Sequence, residues 1–196
     1  MADAAPRTGE EPHPSDPSIT SAGSWCAPVT GFRAIAAVAE LAPKHPGMHY
    51  VIVGDGEHRD ALQQAVARHG VGDRVHFTGA RTDVPAILAA CDVFVHPTLE
   101  DALPTVLAEA GAAGLPLVAS RVGGVPEMVL DGRNGRLVPP DDVPALVAAL
   151  DQLLSDSQEA NRMSEEARAV ARERFDIATQ AGELARMYRE QMAGAA

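Results

Sequence analysis

Short apolar runs of three to five residues alternate along this chain with stretches whose apolar residues recur at helical spacing, and that alternation leaves few folds open. The runs at 19–22, 49–53, 75–78, 93–96 and 117–119 read as buried strands, with a weaker one at 136–138. Between them Phe32, Ile35, Ala36 and Ala39 fall at i, i+3, i+4 and i+7, and Leu62, Ala65 and Val66 repeat part of that pattern, so both segments are expected as amphipathic helices. Asp83 is placed to cap a short helix through Ala90, Pro104 to open one running to about Ala113, and Asp141 or Asp142 to cap another to Leu154. The chain then reads as helix, with Ala181, Leu184, Ala185 and Tyr188 on one stripe. This is the rhythm of a doubly wound α/β domain with a parallel sheet over 19–155, extended by helices over 156–196. Residues 1–18 carry Pro6, Pro12, Pro14 and Pro17 among Asp3, Glu10, Glu11 and Asp16, and are expected to form a disordered lead-in.

Charge and composition exclude several functions. Sixteen basic against 27 acidic residues give a net charge of −11, which argues against binding nucleic acid or anionic membrane surfaces. No stretch approaches the ~18 apolar residues of a membrane helix, and no basic start with an apolar run opens the chain, so the sequence predicts a cytoplasmic protein without a membrane span. Cys26 and Cys91 are too few and too scattered for a disulfide framework or a zinc site. Seven histidines show no ligand spacing and no Asp-x-Asp pair appears, so neither a metal nor another cofactor is expected.

Open parallel sheets bind ligands outside the carboxyl ends of their strands, where loops enter helix N-termini. Four such loops stand out. Ile52-Val-Gly-Asp-Gly-Glu brings two glycines to a strand end, but lacks both the third glycine of a dinucleotide fingerprint and the Gly-Lys-Ser/Thr of a P-loop. His76-Phe-Thr-Gly-Ala-Arg offers Gly79 and Arg81. The segment 97–114 carries Asp101 in a loop and Glu109 eight positions later, inside a helix that Pro104 would open. Glu109 would then lie only ~7.5 Å along the axis, near the loop that carries Asp101. Two carboxylates accept well from sugar hydroxyls, and the free amides of Thr105 and Val106 can meet phosphate oxygens, although a solvated face with a capping aspartate explains the same residues. In the fourth loop, Gly123 and Gly124 let backbone approach a ligand or another loop, or simply turn at the surface.

Taken in order, Ile52-Val-Gly-Asp-Gly-Glu, Val75-His-Phe-Thr-Gly, Asp92-Val-Phe-Val-His-Pro, Leu103-Pro-Thr-Val-Leu-Ala-Glu-Ala, Gly114-Leu-Pro-Leu-Val-Ala-Ser, Val122-Gly-Gly-Val-Pro-Glu and Asp131-Gly-Arg-Asn-Gly resemble the C-terminal half of family 4 glycosyltransferases of the GT-B fold, over about residues 19–192. The resemblance implies a Rossmann-like, donor-binding half of a retaining, metal-independent enzyme that transfers a hexosyl group from a nucleotide diphosphate sugar. It gives Asp101 the hydroxyls of the transferred sugar and Glu109 the nucleotide ribose, both as catalytic-site residues. It faces the turn of Leu103, Pro104, Thr105 and Val106 towards the diphosphate, sets Gly79 with Arg81 near the base, and counts Gly23 and Gly54 among the donor-binding residues.

Two departures from the family pattern bear on function. Aspartate stands where the family usually has glutamate at the first acidic position, and Ser24 and Thr30 stand where it has an arginine and a lysine on the diphosphate. Charge-assisted hydrogen bonds contribute roughly 1.5 to 3 kcal/mol each, a loss for which Arg33 or Arg121 could compensate in part, although nothing in the sequence requires it. In addition, a GT-B enzyme holds its acceptor in an N-terminal domain across a cleft, so a separate acceptor-domain polypeptide or self-association is the partner expected here. The alternative function is a non-catalytic nucleotide-sugar-binding module or a degenerate remnant acting as a partner subunit; a nucleotide-sugar epimerase of the same fold is a more distant third.

Overall fold

A computed structural model describes residues 18–22 and 30–194; most of the expected lead-in, Gly23, Ser24 and Cys26 lie outside the described residues. Six strands, β1 (Ser18–Ala22), β2 (His49–Val53), β3 (Val75–Gly79), β4 (Val93–His96), β5 (Leu117–Ser120) and β6 (Gly135–Val138), form one parallel sheet in the order β3-β2-β1-β4-β5-β6. Between and after them run α1 (Thr30–Leu41), α2 (Arg59–His69), α3 (Val84–Ala89), α4 (Thr105–Ala113), α5 (Val125–Met128), α6 (Val143–Ser155), α7 (Ser157–Phe175) and α8 (Ile177–Gly194). Strand order reverses between β1 and β4, which puts the topological switch point at the carboxyl ends of these two strands.

Successive side chains leave a strand on opposite faces, and here both faces are covered. Val93, Val95 and Val118 pack with Ala34, Ile35 and Val38 of α1 and Leu146 and Leu150 of α6. Phe94, Leu117 and Ala119 pack on the other face with Leu88 of α3, Leu107 and Ala110 of α4, and Val125 and Met128 of α5. Small residues let the layers close. A Cβ on Gly31 would come within 2.7 Å of Leu62 Cδ2, so the glycine at the start of α1 lets α2 approach, and one on Gly111 would stand 3.4 Å from the Ala167 carbonyl of α7.

The strands follow the sequence reading to within a residue or two, with some corrections. Ser18 opens β1 rather than closing the lead-in, because its amide and hydroxyl donate to the Asp92 carboxylate at 2.7 and 2.9 Å. Pro104 flanks α4 instead of beginning it, with an extended ψ of 102° and Thr105 as first helical residue. The Asp83 carboxylate does not cap α3: it accepts two bonds from Arg81, at 2.8 and 2.6 Å. Of the two candidate caps of α6, Asp142 takes the role and accepts from the Ala145 amide at 2.8 Å. Among the described residues no helix is long and apolar enough to cross a membrane.

Candidate functional site

At the switch point β4 ends in His96, and the chain runs through a short loop into α4. Each part of that loop is fixed from a different direction. Pro97 and Thr98 are buried; the Thr98 hydroxyl donates to the Glu100 carbonyl at 3.0 Å and accepts the Glu100 amide at 3.3 Å, a local turn closed by a side chain. From the β5–α5 loop, Gly124 donates its amide to the Ala102 carbonyl at 2.9 Å. A Cβ on Gly123 would lie 1.9 Å from the Asp101 carbonyl oxygen and one on Gly124 2.1 Å from that of Ala102. The paired glycines therefore serve the approach of one loop to another, rather than a surface turn.

The two acidic residues sit on either side of the start of α4. Asp101 is about one third exposed, and its Oδ2 lies 3.2 Å from Nε2 of His96, whose side chain is only 12 % exposed. Burial pushes the His96 imidazole below the ordinary histidine range, outweighing the pull of Asp101 towards the charged form. Thr105 and Glu109 are one turn apart on the exposed face of α4, opposite buried Leu107 and Ala110. Helical side chains lean towards the N-terminus, so Glu109 reaches back over the turn that Thr105 begins. In that first turn the amides of Thr105 and Val106 have no acceptor within the helix, and no side chain caps it. Exposed Leu103 borders this turn. The arrangement joins two carboxylates to a helix terminus that favours anions.

The remaining predicted residues have more local roles. Gly54 (φ 127°) donates its amide to the Gly79 carbonyl at 2.9 Å, and Gly79 itself holds φ 71°, so these glycines tie the ends of β2 and β3 together. Arg81 is engaged by Asp83. Neither of the substitute cations is uncommitted: Arg33, almost fully buried, bonds Asp141 through Nε at 2.8 Å and also through Nη2, and Arg121 bonds Asp131 at 3.0 Å. Asp141 adopts φ 63° in the turn that presents it, a conformation costly for a residue with a Cβ. The Asp131-Gly-Arg-Asn-Gly motif is structural, since buried Asn134 accepts the Leu130 amide at 2.7 Å and donates to the Met128 carbonyl at 2.9 Å. His96 enters the sequence reading only inside the Asp92-Val-Phe-Val-His-Pro run, without a role of its own; its signal there is a histidine at a strand end five positions before an aspartate. Among the described residues no cluster of three or more histidine, cysteine, aspartate or glutamate side chains is gathered for a metal ion. A cavity of about 330 Å³ opens at the opposite, amino ends of β4 and β5, lined by Asp92, Pro116, Asn161 and Arg168, away from these groups.

The chain is similar to several known proteins. The model of the family described as glycosyl transferases group 1 matches residues 31–170. The chain is 32% identical over 158 residues to the alpha-D-kanosaminyltransferase of Streptomyces kanamyceticus, covering 80% of this chain and 41% of that protein. Over 162 residues it is 35% identical to the GDP-mannose-dependent alpha-(1-6)-phosphatidylinositol monomannoside mannosyltransferase of Mycolicibacterium smegmatis, covering 78% and 42%. The crystal structure of Anabaena HepE in complex with UDP and glucose superposes with a TM-score of 0.80 at 29% identity, covering 90% of this chain and 49% of that one. The chain thus spans less than half the length of each of these relatives.

Proposed function

Because the chain belongs to the group 1 glycosyl transferases, we propose that it is the donor-binding half of a retaining hexosyltransferase of family 4 that uses a nucleotide diphosphate sugar. The observation that carries this reading is the convergence of Asp101, Glu109 and the uncapped start of α4 at the switch point of the sheet. In it Asp101 accepts hydroxyls of the transferred sugar and Glu109 accepts those of the ribose, while Leu103, Pro104 and the amides of Thr105 and Val106 face the diphosphate. Gly54 belongs to the donor-binding edge, and Gly79 and Arg81 lie near the base. The bond from the anomeric carbon to the diphosphate oxygen breaks, the acceptor oxygen bonds to that carbon on the same face, and the acceptor's proton is released. Charge that develops on the leaving diphosphate meets preorganised amides rather than a metal ion. A GT-B acceptor domain closes the other side of the cleft. HepE supports the donor chemistry by its complex with UDP and glucose, and the mannosyltransferase by its dependence on GDP-mannose.

Calorimetry with UDP and GDP tests the assignment. One of the two is expected to bind the parent, and Glu109→Ala to weaken it by about tenfold or more, the loss of a hydrogen bond to a charged acceptor. Equal binding by parent and variant would remove Glu109 from the site.

A further inference from the structure

We infer that His96 is a positioning residue: its Nε2–H donates to Oδ2 of Asp101 and holds that carboxylate in the orientation in which Oδ1 meets the transferred sugar. The inference rests on the reading of Asp101 as the sugar-contacting carboxylate, and it adds the group that sets its direction.

The argument comes from how the loop is held. Thr98 and the Gly124 amide fix the backbone on both sides of Asp101, but a backbone anchor does not set a side-chain torsion. An aspartate about one third exposed at a cleft edge turns about two torsions unless something engages its carboxylate, and that freedom is lost again when a ligand binds. His96 Nε2 meets the Asp101 carboxylate at 3.2 Å. His96 suits the task because its ring is itself immobile: it ends the central strand β4 and is nearly buried. Burial also pushes the imidazole below the ordinary histidine range, which favours the neutral ring. A neutral ring carries one proton, and the tautomer that can bond a carboxylate through Nε2 bears it there. A cation at this position would draw the carboxylate into an ion pair, whereas a neutral donor leaves its charge available to sugar hydroxyls. The same logic makes supporting groups around metal-ligating side chains worth 10- to 100-fold in affinity.

The expected effect falls on the sugar and not on the nucleotide, which separates positioning from general structural support. Calorimetry compares UDP with UDP-glucose and GDP with GDP-mannose on the parent chain, His96→Ala and His96→Gln. In the parent the nucleotide sugar should bind tighter than its nucleotide; in His96→Ala that ratio should fall about tenfold while nucleotide affinity stays within about twofold. His96→Gln, whose amide N–H can donate over a similar reach, should restore much of the ratio. Equal weakening of nucleotide and nucleotide sugar, or an unchanged ratio, would overturn the role of His96 and leave the donor site standing. A parent that binds nucleotide but gains nothing from the sugar overturns Asp101 as the sugar contact and this inference with it; a parent that binds neither overturns the donor site as well. Nitrogen-resolved NMR of the parent reads the tautomer without any variant. Nε2–H is expected, and an Nδ1–H ring would overturn the inference even if His96→Ala failed to fold.

Discussion

Gly123 and Gly124 show how single residues set the course of a neighbouring loop. Both sit where a Cβ would enter the backbone oxygens of the Asp101 loop, and Gly123 also holds φ 46°. Gly124→Ala is therefore expected to lower stability by about 1–3 kcal/mol, as an overpacked contact against unyielding backbone does, and to weaken nucleotide-sugar binding together with it. Urea midpoints and calorimetry measure the two; a variant of parental stability and affinity would refute the loop contact. A second residue-scale effect comes from His76, whose Nε2 lies 2.9 Å from Nδ1 of His49 on the neighbouring strand. Burial and the neighbouring His49 hold the His76 ring below the ordinary value of 6.5, against a smaller opposite pull from Asp73. A depressed histidine disfavours protonation in the folded state, so as pH drops below about 6.5 the unfolded chain takes up protons that the folded chain refuses, and stability falls. His96 is shifted in the same direction for the same leading reason. The urea midpoint should fall between neutral pH and about pH 5.5, and His76→Gln should flatten part of that slope; a slope identical in parent and variant would rule out the contribution of this pair.

Among the elements, α7 and α8 are built alike in sequence but not in use. Met163, Ala167, Val170 and Ala171 of α7 are buried, and the helix packs along α4, where Gly111 allows close contact. By contrast the apolar side chains of α8 stand in solvent: Leu184 is 53% exposed, Tyr188 63% and Met192 76%. The stripe predicted from helical periodicity is thus present but has no partner among the described residues of the chain. Deleting residues 177–196 is expected to shift the unfolding free energy by no more than about 1 kcal/mol and to leave nucleotide affinity unchanged, since little apolar area is lost from the core. A loss of several kcal/mol would mean that α8 is integral to the fold. Legibility differed in the same way between elements. The strands could be read because each is a short apolar run, whereas the four-residue α5 was missed because one turn around Pro126 carries too little periodicity to separate helix from loop.

For the whole molecule the decisive facts are that Asp101, Glu109 and the uncapped start of α4 share the switch-point edge of the sheet and that the chain spans 41% to 49% of the relatives described above. Group transfer requires donor and acceptor to be held together with water excluded, and positioning of this kind contributes up to ~7 to 11 kcal/mol in well-oriented cases. These 196 residues, purified by themselves, are expected to bind nucleoside diphosphate yet transfer no sugar from labelled UDP- or GDP-sugars to pooled acceptors. Sustained turnover by a verified monomer would show that one wall of the cleft suffices.

The sequence by itself determined the parallel sheet, the succession of its strands along the chain and the placement of Asp101 and Glu109 about the start of one helix, because apolar periodicity and helix-start chemistry are local and depend on neighbours a few positions away. Only the tertiary structure decided the partners of the polar groups. Arg33 meets Asp141 across 108 positions, Gly124 meets Ala102 across 22, and Asp83 turns to Arg81 instead of capping its helix. The bond between His96 and Asp101 spans only five positions, yet it too required the fold. A buried strand end had to fix the imidazole before the loop could return the carboxylate to it, and neither burial nor direction is written in a five-residue spacing.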